Sequence, residues 1–510
     1  MKYILPLIFF SLASLQGAIP LRVNPLFSDH MVLQRGLPIR VWGTATPGET
    51  VTVGLQGQAQ ETNAGADGRW MATLAPIEIG PPREMVVWSQ SGRFVFRDVV
   101  AGEVWLGAGQ SNMAVKVAGF AKKNVDPVLA GYVEALPNPG VRVFTNGWHI
   151  AERNRVIRFS ALHFAFGVEL NKRLGVPVGL IYGASGGTPS GMWLTPEMAE
   201  SDARMAIYFK AANGVKLADY NQQTDAIHLQ WKADVEKAKA ERKRAPRAPV
   251  KIGGLFERNI QRYVPFGIRG VLWDQGESGT KVPGVPDQYV VMNALIKGWR
   301  KAWGQGDFPF LHVQKPSGGV CAWDPANPVN VGCVAYNPAK PLPHRRIKPH
   351  ELAYPLDHIR MAKLKNAPMV PAIDLATGIH PTNKSGYASR ACQVAMGAVY
   401  GQNVAVSGPV YRAHKVEGIK IRVFFDHVGK GLAFRHANTV QGFEIGDGKQ
   451  WAWANAQIDR GTVVLESPLI LNPTHVQYAF DTAPAFANLF NMDGLPAQPF
   501  TTQFWIRHKK

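Results

Sequence analysis

The strongest constraint on the fold is an alternation of amphipathic and purely apolar segments in the middle of the chain. Residues 160–175 (SALHFAFGVELNKRLG) carry apolar residues at helical spacing and end at a glycine. The following run, GVPVGLIYGASGG, has the composition of a buried strand that enters a glycine-rich loop. The same order of helix and strand recurs between residues 255 and 314. Because continuous apolar strands that alternate with helices form parallel sheets covered by helices, the sequence predicts an α/β core.

The segments on either side of this core follow a different pattern. Between residues 19 and 100, apolar and polar residues alternate over short runs separated by turn dipeptides such as Pro47-Gly48. This pattern predicts a small N-terminal β domain. Strand-and-turn patterning returns at about residue 408, which predicts a C-terminal β region over 408–510. A chain of 510 residues is long enough for such a division, with the α/β domain at 101–407.

Two long insertions interrupt the predicted α/β domain, at about 197–253 and 315–360. The first contains the Lys/Arg-rich run WKADVEKAKAERKRAPRAPVK, whose composition favours a solvated helical insertion over a docking surface for an acidic glycan. In the second, Cys321 and Cys333 flank a Pro/Asn-rich loop and could be joined by a disulfide. Cys392 lies in a helical pattern, which is typical of a small core residue.

The N-terminus predicts export of the protein. Residues 1–18 (MKYILPLIFFSLASLQGA) combine an early lysine, an apolar run and small residues at the end, which is the pattern of a signal peptide. No later stretch is long and apolar enough for a membrane span. We therefore expect a secreted or periplasmic protein.

The charge balance limits the expected partners. The chain has 56 Lys+Arg against 37 Asp+Glu, a net charge of +19, and a surface of this kind favours anionic ligands. No basic block alternates with aromatic residues as nucleic-acid binding would need, so we expect no nucleic-acid partner. No Cys/His spacing resembles a zinc site, and we predict neither a metal nor a cofactor.

Four polar segments follow predicted strands directly, where ligands bind to open parallel sheets. In GAGQSNM, Ser111 comes straight after the strand GEVWL. This is not the G-x-S-x-G turn of α/β-hydrolases, because Met113 stands in place of the last glycine. In GASGGTPSGMW, Gly186 and Gly187 would let backbone N–H groups approach a developing oxyanion.

The other two segments supply an amide, carboxylates and a base. Gln275 and Glu277 lie in WDQGES, and His380 precedes a helix in GIHPTNKSG, with Asp374 a few residues upstream. Each segment alone also has a structural explanation as a turn, a helix N-cap or a structural histidine. Together they hold a nucleophile, oxyanion donors, a carboxylate and a base, which indicates nucleophilic catalysis.

Further motifs occur in order along nearly the whole chain, namely LFSDHMVLQR, VWG-x₃-PGE, DGRW, GEVWLGAGQSNM, KRLGVPVGLI, GGTPSGMW, WDQGES, WGQGDFPF, HP-x-NK, FDHVGKGL and GFEI. In these motifs the chain resembles the sialate O-acetylesterase family of SGNH/GDSL-type hydrolases. The resemblance implies a flavodoxin-like three-layer α/β/α SGNH hydrolase core with N-terminal and C-terminal β-sandwich-like regions. It also implies cleavage of O-acetyl esters of sugars without a metal.

The resemblance assigns roles to individual residues. Ser111 would be the nucleophile and His380 the general base. The Ser111 N–H, a backbone N–H near Gly187 and the Gln275 side chain would form the oxyanion hole. Four further residues are expected to contact the substrate: Gln110, Asn112, Gly186 and Trp193.

The chain departs from the family beside the histidine. Related hydrolases have an aspartate two or three residues before it, where this chain has Gly378 and Thr377. We expect Glu277 to orient His380 in its place, with Asp374 as the second choice and a backbone carbonyl as the third.

The sequence therefore predicts a secreted serine esterase that deacetylates sugars or polysaccharides through an acetyl-enzyme intermediate. The positive charge favours an anionic carbohydrate as substrate. Two alternatives stay open. One is a non-catalytic glycan-binding protein with a degenerate hydrolase core. The other is a hydrolase of sulfate esters, for which the cationic residues His344, Arg345 and Arg346 of the second insertion would have to reach the site.

Overall fold

The computed structural model describes residues 19–246, 248–276, 278–314, 357–375, 380–435, 437–480 and 487–503. Several predicted features lie outside these residues: the signal peptide, the predicted disulfide pair Cys321 and Cys333, the cationic residues at 344–346 and most of the second insertion. Glu277, Thr377 and Gly378 lie outside them as well.

The N-terminal region is built mainly from short antiparallel strands, whereas the strand Val32–Gln34 pairs in parallel with residues 100–102. The antiparallel strands form two sheets, with the strand orders β1-β3-β6 and β5-β4-β7-β8. Gly48 and Gly68, the second residues of the dipeptides Pro47-Gly48 and Asp67-Gly68, have φ of 81° and 74°, as such turns require. The strands are β1 (Arg22–Val23), β2 (Val32–Gln34), β3 (Ile39–Thr44), β4 (Thr50–Leu55), β5 (Gln58–Asn63), β6 (Arg69–Leu74), β7 (Arg83–Ser89) and β8 (Gly92–Gly109).

The long strand β8 belongs to two parts of the structure. Its first half pairs with β7, between Gly92 and Val99, and its second half runs through the middle of the large sheet that follows. The predicted boundary between residues 100 and 101 therefore falls within one continuous strand. This strand leads directly to Ser111.

The central sheet has the order β10-β9-β11-β8-β12-β13-β14. All its pairs are parallel except the edge pair β10-β9. This confirms the predicted α/β class. The new strands are β9 (Asn138–Phe144), β10 (Trp148–Ala151), β11 (Val178–Tyr182), β12 (Gly270–Asp274), β13 (Phe310–Val313) and β14 (Met369–Val370).

Helices contribute to two separate buried clusters along β8. Leu106 shares one cluster with Leu295 and Trp299, whereas Trp105 shares the other with Phe166 and Val394. Because neighbouring strand residues point to opposite faces, both faces of the sheet are covered. The helices are α1 (Ser111–Ala114), α2 (Val117–Phe120), α3 (Pro127–Glu134), α4 (Arg153–Val156), α5 (Ala161–Leu174), α6 (Pro196–Glu200), α7 (Ala203–Ala211), α8 (Leu217–Ala240), α9 (Gln288–Trp303) and α10 (Lys384–Ala398), with shorter helical turns at Ser190–Trp193, Phe256–Ile260 and Gln261–Tyr263.

Helix α5 agrees closely with the helix predicted over 160–175. Ser160 caps its start, where its hydroxyl accepts a hydrogen bond from the His163 N–H at 3.1 Å. Gly175 ends it in the left-handed conformation, with φ of 66°.

The first insertion is largely helical. It contains α6, α7 and the 24-residue α8, whose last part includes the beginning of the Lys/Arg-rich run. Cys392 is fully buried on α10, as expected of a core residue. Among the described residues, no helix is both long and apolar enough to cross a membrane.

The C-terminal region consists of further antiparallel strands, as predicted from about residue 408. They pair in the orders β15-β16-β21-β20, β19-β18-β22-β24 and β17-β23 around a buried cluster of their own. The strands are β15 (Val410–Glu417), β16 (Lys420–Asp426), β17 (Leu432–Phe434), β18 (Phe443–Gly446), β19 (Trp451–Trp453), β20 (Asn455–Asp459), β21 (Thr462–Glu466), β22 (His475–Tyr478), β23 (Leu489–Asn491) and β24 (Phe500–Thr501).

Candidate active site

The predicted site residues follow strands of the central sheet that are parallel to one another. Ser111 follows β8, Gly186 and Gly187 follow β11, and Gln275 follows β12. His380 lies between β14 and α10. Because the strands are parallel, their carboxyl ends lie at one edge of the sheet, which is where an open α/β sheet binds ligands.

The turn that carries Ser111 is fixed by its neighbours on both sides. The Gln110 N–H donates to the Asp274 carbonyl at 2.8 Å, and the Ser185 N–H donates to the Gly109 carbonyl at 2.9 Å. Gly109 has φ of 118°, and a Cβ there would collide with the Asp274 carbonyl. The close approach of the two strand ends therefore requires glycine at this position and places Ser111 at the first residue of α1.

The glycine-rich loop passes beside Ser111. A Cβ on Gly186 would lie 3.8 Å from both Cα and Cβ of Ser111. Gly187 adopts φ of 70°, and the Thr188 hydroxyl closes the turn by donating to the Ser185 carbonyl at 2.8 Å. Both glycines are exposed, so backbone groups of this loop are accessible next to the serine hydroxyl.

The side chain of Gln275 is held by a chain of buried amides. Its Nε2 donates to the Thr188 carbonyl at 3.3 Å, and its Oε1 accepts from Gln288 Nε2 at 2.9 Å. The Gln288 Oε1 in turn accepts from the Ser190 hydroxyl at 3.0 Å. With Oε1 occupied in this way, the Nε2 group of Gln275 has a fixed direction and a second N–H to offer.

Sequence reasoning missed Gln288 and Ser190. Gln288 is the first residue of α9, directly after Asp287, whose carboxylate caps that helix by accepting from the Val290 N–H. No signal in the sequence singles out Gln288, because its burial at the start of α9 appears only in the folded structure.

A second buried contact connects α1 to the histidine segment. The Lys384 ammonium, on a side chain that is only 1% exposed, donates to Asn112 Oδ1 at 2.8 Å. The next residue, Ser385, donates its hydroxyl and its N–H to the Asp126 carboxylate at 2.6 and 2.8 Å. The start of α10 is thus attached to the residue that follows Ser111. Lys384 lies within the HP-x-NK motif, but this contact was not predicted.

The two carboxylate candidates differ in what the structure shows of them. Asp374 forms a bidentate ion pair with Arg390 on α10, at 2.9 and 3.0 Å, and Arg390 also donates to the Pro371 carbonyl. Asp374 therefore links the segment after β14 to α10. His380 is exposed at its position before α10, and Glu277 lies outside the described residues.

The expected substrate contacts fall into two groups. Gly186 is exposed beside Ser111, but the side chains of Gln110, Asn112 and Trp193 are buried. Trp193 is 0% exposed; its indole N–H donates to the Thr188 hydroxyl, and its ring packs edge-on against another buried indole. These three side chains are therefore as buried as Gln275, which is 3% exposed, and their contact with a substrate stays a prediction.

A second histidine close to β8 is unsuited to act as a base. His163 on α5 is fully buried, and a Cβ on Gly107 would collide with its ring. Burial lowers the pKa of His163 to about 3, so the ring is neutral at ordinary pH. Among the described residues, no group of three His, Cys, Asp or Glu side chains is arranged to hold a metal ion.

The chain is similar over its full length to known esterases, although no family model matches it. Sialate O-acetylesterase from Mus musculus is 26% identical, with 99% of this chain and 98% of that protein covered. The Homo sapiens sialate O-acetylesterase is 27% identical over 80% and 76% of the two chains. The crystal structure of a carbohydrate acetylesterase from Xanthomonas citri matches with a TM-score of 0.74 and 27% identity, and covers 95% of this chain and 100% of that one.

Proposed function

We propose that this chain, which belongs to the sialate O-acetylesterase family of carboxylic ester hydrolases, removes O-acetyl groups from sugars through an acetyl-enzyme intermediate on Ser111. The observation that carries the proposal is the convergence of three strand-end segments on this serine. Gly186 lies beside it, and Gln275 is held by buried hydrogen bonds on the neighbouring loop. These positions support the assignment of Ser111 as a nucleophile next to oxyanion donors.

The mechanism follows from these parts. His380 accepts the Ser111 proton while the serine oxygen attacks the acetyl carbonyl. The negative charge of the tetrahedral intermediate is stabilised by the Ser111 N–H, a backbone N–H near Gly187 and the Gln275 Nε2 group. His380 then protonates the sugar oxygen, which leaves. It next activates a water molecule that releases acetate from Ser111.

We assign the orientation of His380 to Glu277. The Asp374 carboxylate forms a bidentate pair with the Arg390 guanidinium, which supports a structural role for Asp374 between the segment after β14 and α10 and keeps it the second choice. A backbone carbonyl is the remaining alternative.

The architecture and location that fit this function are also proposals. We propose a flavodoxin-like SGNH core of three layers at 101–407, flanked by β-sandwich-like regions at 19–100 and 408–510. Residues 1–18 would direct secretion or transport to the periplasm, where polymeric substrates are accessible.

A comparison of wild type with Ser111→Ala tests the proposal. We expect the wild type to release p-nitrophenol from its acetate ester and acetate from acetylated polysaccharides. The Ser111→Ala variant should lose both activities, with an unchanged melting temperature as evidence that it is folded. Equal, near-background rates for the two proteins would refute the serine mechanism and favour the glycan-binding alternative.

A further inference from the structure

An exposed tryptophan lies on the outer face of the sheet β5-β4-β7-β8, in the N-terminal region. Trp88, near the end of β7, is 38% exposed. Its neighbours along β7, Met85 and Val87, are buried on the inner face. Because strand residues alternate between faces, Val87 points into the core and Trp88 points outward. The indole is therefore not part of the hydrophobic core.

The indole packs against a glycine of the adjacent strand. A Cβ on Gly54 of β4 would lie only 3.1 Å from Cζ3 of the Trp88 ring. Thr52, directly opposite Trp88 on β4, is buried. The absence of a side chain at Gly54 leaves room for the ring against the sheet. The ring is therefore supported from one side and open on the other.

The turn between β7 and β8, next to Trp88, is fixed by the carboxylate of Glu49, which lies between β3 and β4. Glu49 accepts the Ser91 N–H at 2.8 Å, and the hydroxyls of Ser89 and Ser91 lie 3.2 Å apart. Hydrogen bonding from Ser89, and then from Ser91, lowers the pKa of Glu49 to about 2, so the Glu49 carboxylate is charged at any ordinary pH. A ligand would therefore meet a surface whose backbone is already ordered, which reduces the entropic cost of binding.

A shallow depression of about 590 Å³ surrounds the ring, lined by Val86, Trp88, Ser89, Gln90, Gly92 and Arg93. Arg93 lies directly opposite Trp88 on β8, and no carboxylate among the described residues forms an ion pair with it. A flat aromatic ring beside an amide, hydroxyls and a guanidinium offers an apolar face and polar groups at the same time.

We propose that this depression, the Trp88 surface, binds a polysaccharide that contains uronic acids. The apolar face of a sugar ring would stack on the indole, and a sugar carboxylate would pair with Arg93. A specific protein partner would need about 800 Å² of contact with several anchors, whereas one exposed ring with polar neighbours has the size of one or two sugar units. The choice of a polysaccharide rests on the proposed esterase function, and the excess of cationic residues favours an anionic one.

Binding at the Trp88 surface would keep the enzyme on its polymeric substrate. A second attachment point converts the encounter of the active site with acetylated sugars into an intramolecular event at raised effective concentration. The apparent KM for an acetylated polymer should depend on this surface. Hydrolysis of a small ester such as p-nitrophenyl acetate should not.

Four variants of the full chain test the proposal, and a fifth, Trp88→Phe, tests for a folding defect. Trp88→Ala removes the ring and Arg93→Gln removes the charge. Phe94→Ala is the matched control for the ring, because Phe94 is 37% exposed but lies opposite Val87, on the other face. Arg69→Gln, on an exposed arginine of the other N-terminal sheet, controls for net charge. Binding to polygalacturonate and to neutral mannan is measured by titration calorimetry at about 0.15 M salt, where long-range attraction is screened.

We expect the wild type to bind polygalacturonate more tightly than mannan. Trp88→Ala and Arg93→Gln should raise the Kd for polygalacturonate about tenfold, as loss of a central anchor does. A Trp88→Phe variant should recover part of the loss, which separates a role in binding from a folding defect. All variants should hydrolyse p-nitrophenyl acetate at the wild-type rate.

Three results would overturn the proposal: no binding of polygalacturonate by the wild type, wild-type affinity in Trp88→Ala, or an equal loss in Phe94→Ala and Arg69→Gln. The rates with p-nitrophenyl acetate report separately on the esterase. Failure of the polysaccharide site therefore cannot be confused with failure of the catalytic proposal.

Discussion

The carboxamide of Gln288 is predicted to control catalysis from beneath the site. It donates to Gln275 Oε1 at 2.9 Å and accepts from the Ser190 hydroxyl at 3.0 Å. The Gln288→Leu substitution keeps the size of the side chain but removes both interactions. Gln275 Oε1 then loses its donor, and its carboxamide can rotate so that the Nε2 group no longer points in one direction.

The expected loss can be bounded from both sides. Removal of an oxyanion donor lowers kcat by about 10²–10³-fold. This is the upper limit for the decrease in kcat when Gln275 is present but disordered. A net hydrogen bond contributes about 1 kcal/mol, so the loss of orientation alone lowers kcat by roughly fivefold or more. We therefore expect kcat of Gln288→Leu to fall by about 10- to 100-fold with little change in KM, because the donor acts mainly on the transition state.

The assay is the hydrolysis of p-nitrophenyl acetate by single and double variants. Gln305→Leu is the matched control, because the Gln305 carboxamide also makes two hydrogen bonds, both to Ile268, and is not part of the amide chain under the site. It should lose stability but keep kcat. If Gln288 acts through Gln275, Gln288→Leu should lower kcat little further in a Gln275→Ala background. An equal loss in both backgrounds would refute the proposed chain of amides.

Three further predictions concern individual ionisable side chains. Burial lowers the pKa of His163 from 6.5 to about 3, so the unfolded state binds the proton more tightly and the free energy of unfolding falls as pH drops below about 6.5. We expect a loss of about 2 kcal/mol at pH 5 relative to pH 8. Urea unfolding should show this loss in the wild type but not in His163→Met. Lys384→Met removes the ammonium that donates to Asn112 Oδ1, and it should lower both kcat and the free energy of unfolding, the latter by about 1–3 kcal/mol. Lys384→Arg should not restore kcat. Glu277→Gln should lose far more kcat than Asp374→Asn, whose main effect should be a lower melting temperature; the reverse order in kcat would contradict our assignment.

The parallel sheet was predictable because its signals are local. The apolar runs that became β11 and β12 are short and bounded by glycine, and α5 carries both of its caps in the sequence. Once strands are known to be parallel, their carboxyl ends must share an edge. The grouping of Ser111, the glycine loop and Gln275 followed from this geometry, before any contact was known.

The buried contacts under the site were not predictable in the same way. Lys384 and Asn112 are separated by 272 positions, and Ser190 and Gln288 by 98. No periodicity or turn signal connects residues so far apart in sequence. A lysine in a helix is normally solvated, so only the folded structure reveals that this ammonium is buried against an amide. The burial of Trp193 was missed for a similar reason, since an aromatic beside a glycine loop suits either a ligand site or a core.

The buried contacts explain how the loops of the site can be exposed and still hold a defined geometry. Ser111 is fixed by backbone hydrogen bonds to two neighbouring strand ends, and Gln275 is fixed by Gln288 from below. Lys384 connects the helix after His380 to the turn that carries Ser111. The side chains of Gln288 and Lys384 that make these contacts are buried. On the proposed roles, the geometry around Ser111 stays constant while the Trp88 surface selects the polymer. It follows that variants of the Trp88 surface should change KM for polymers, whereas variants of the amide chain should change kcat for every ester.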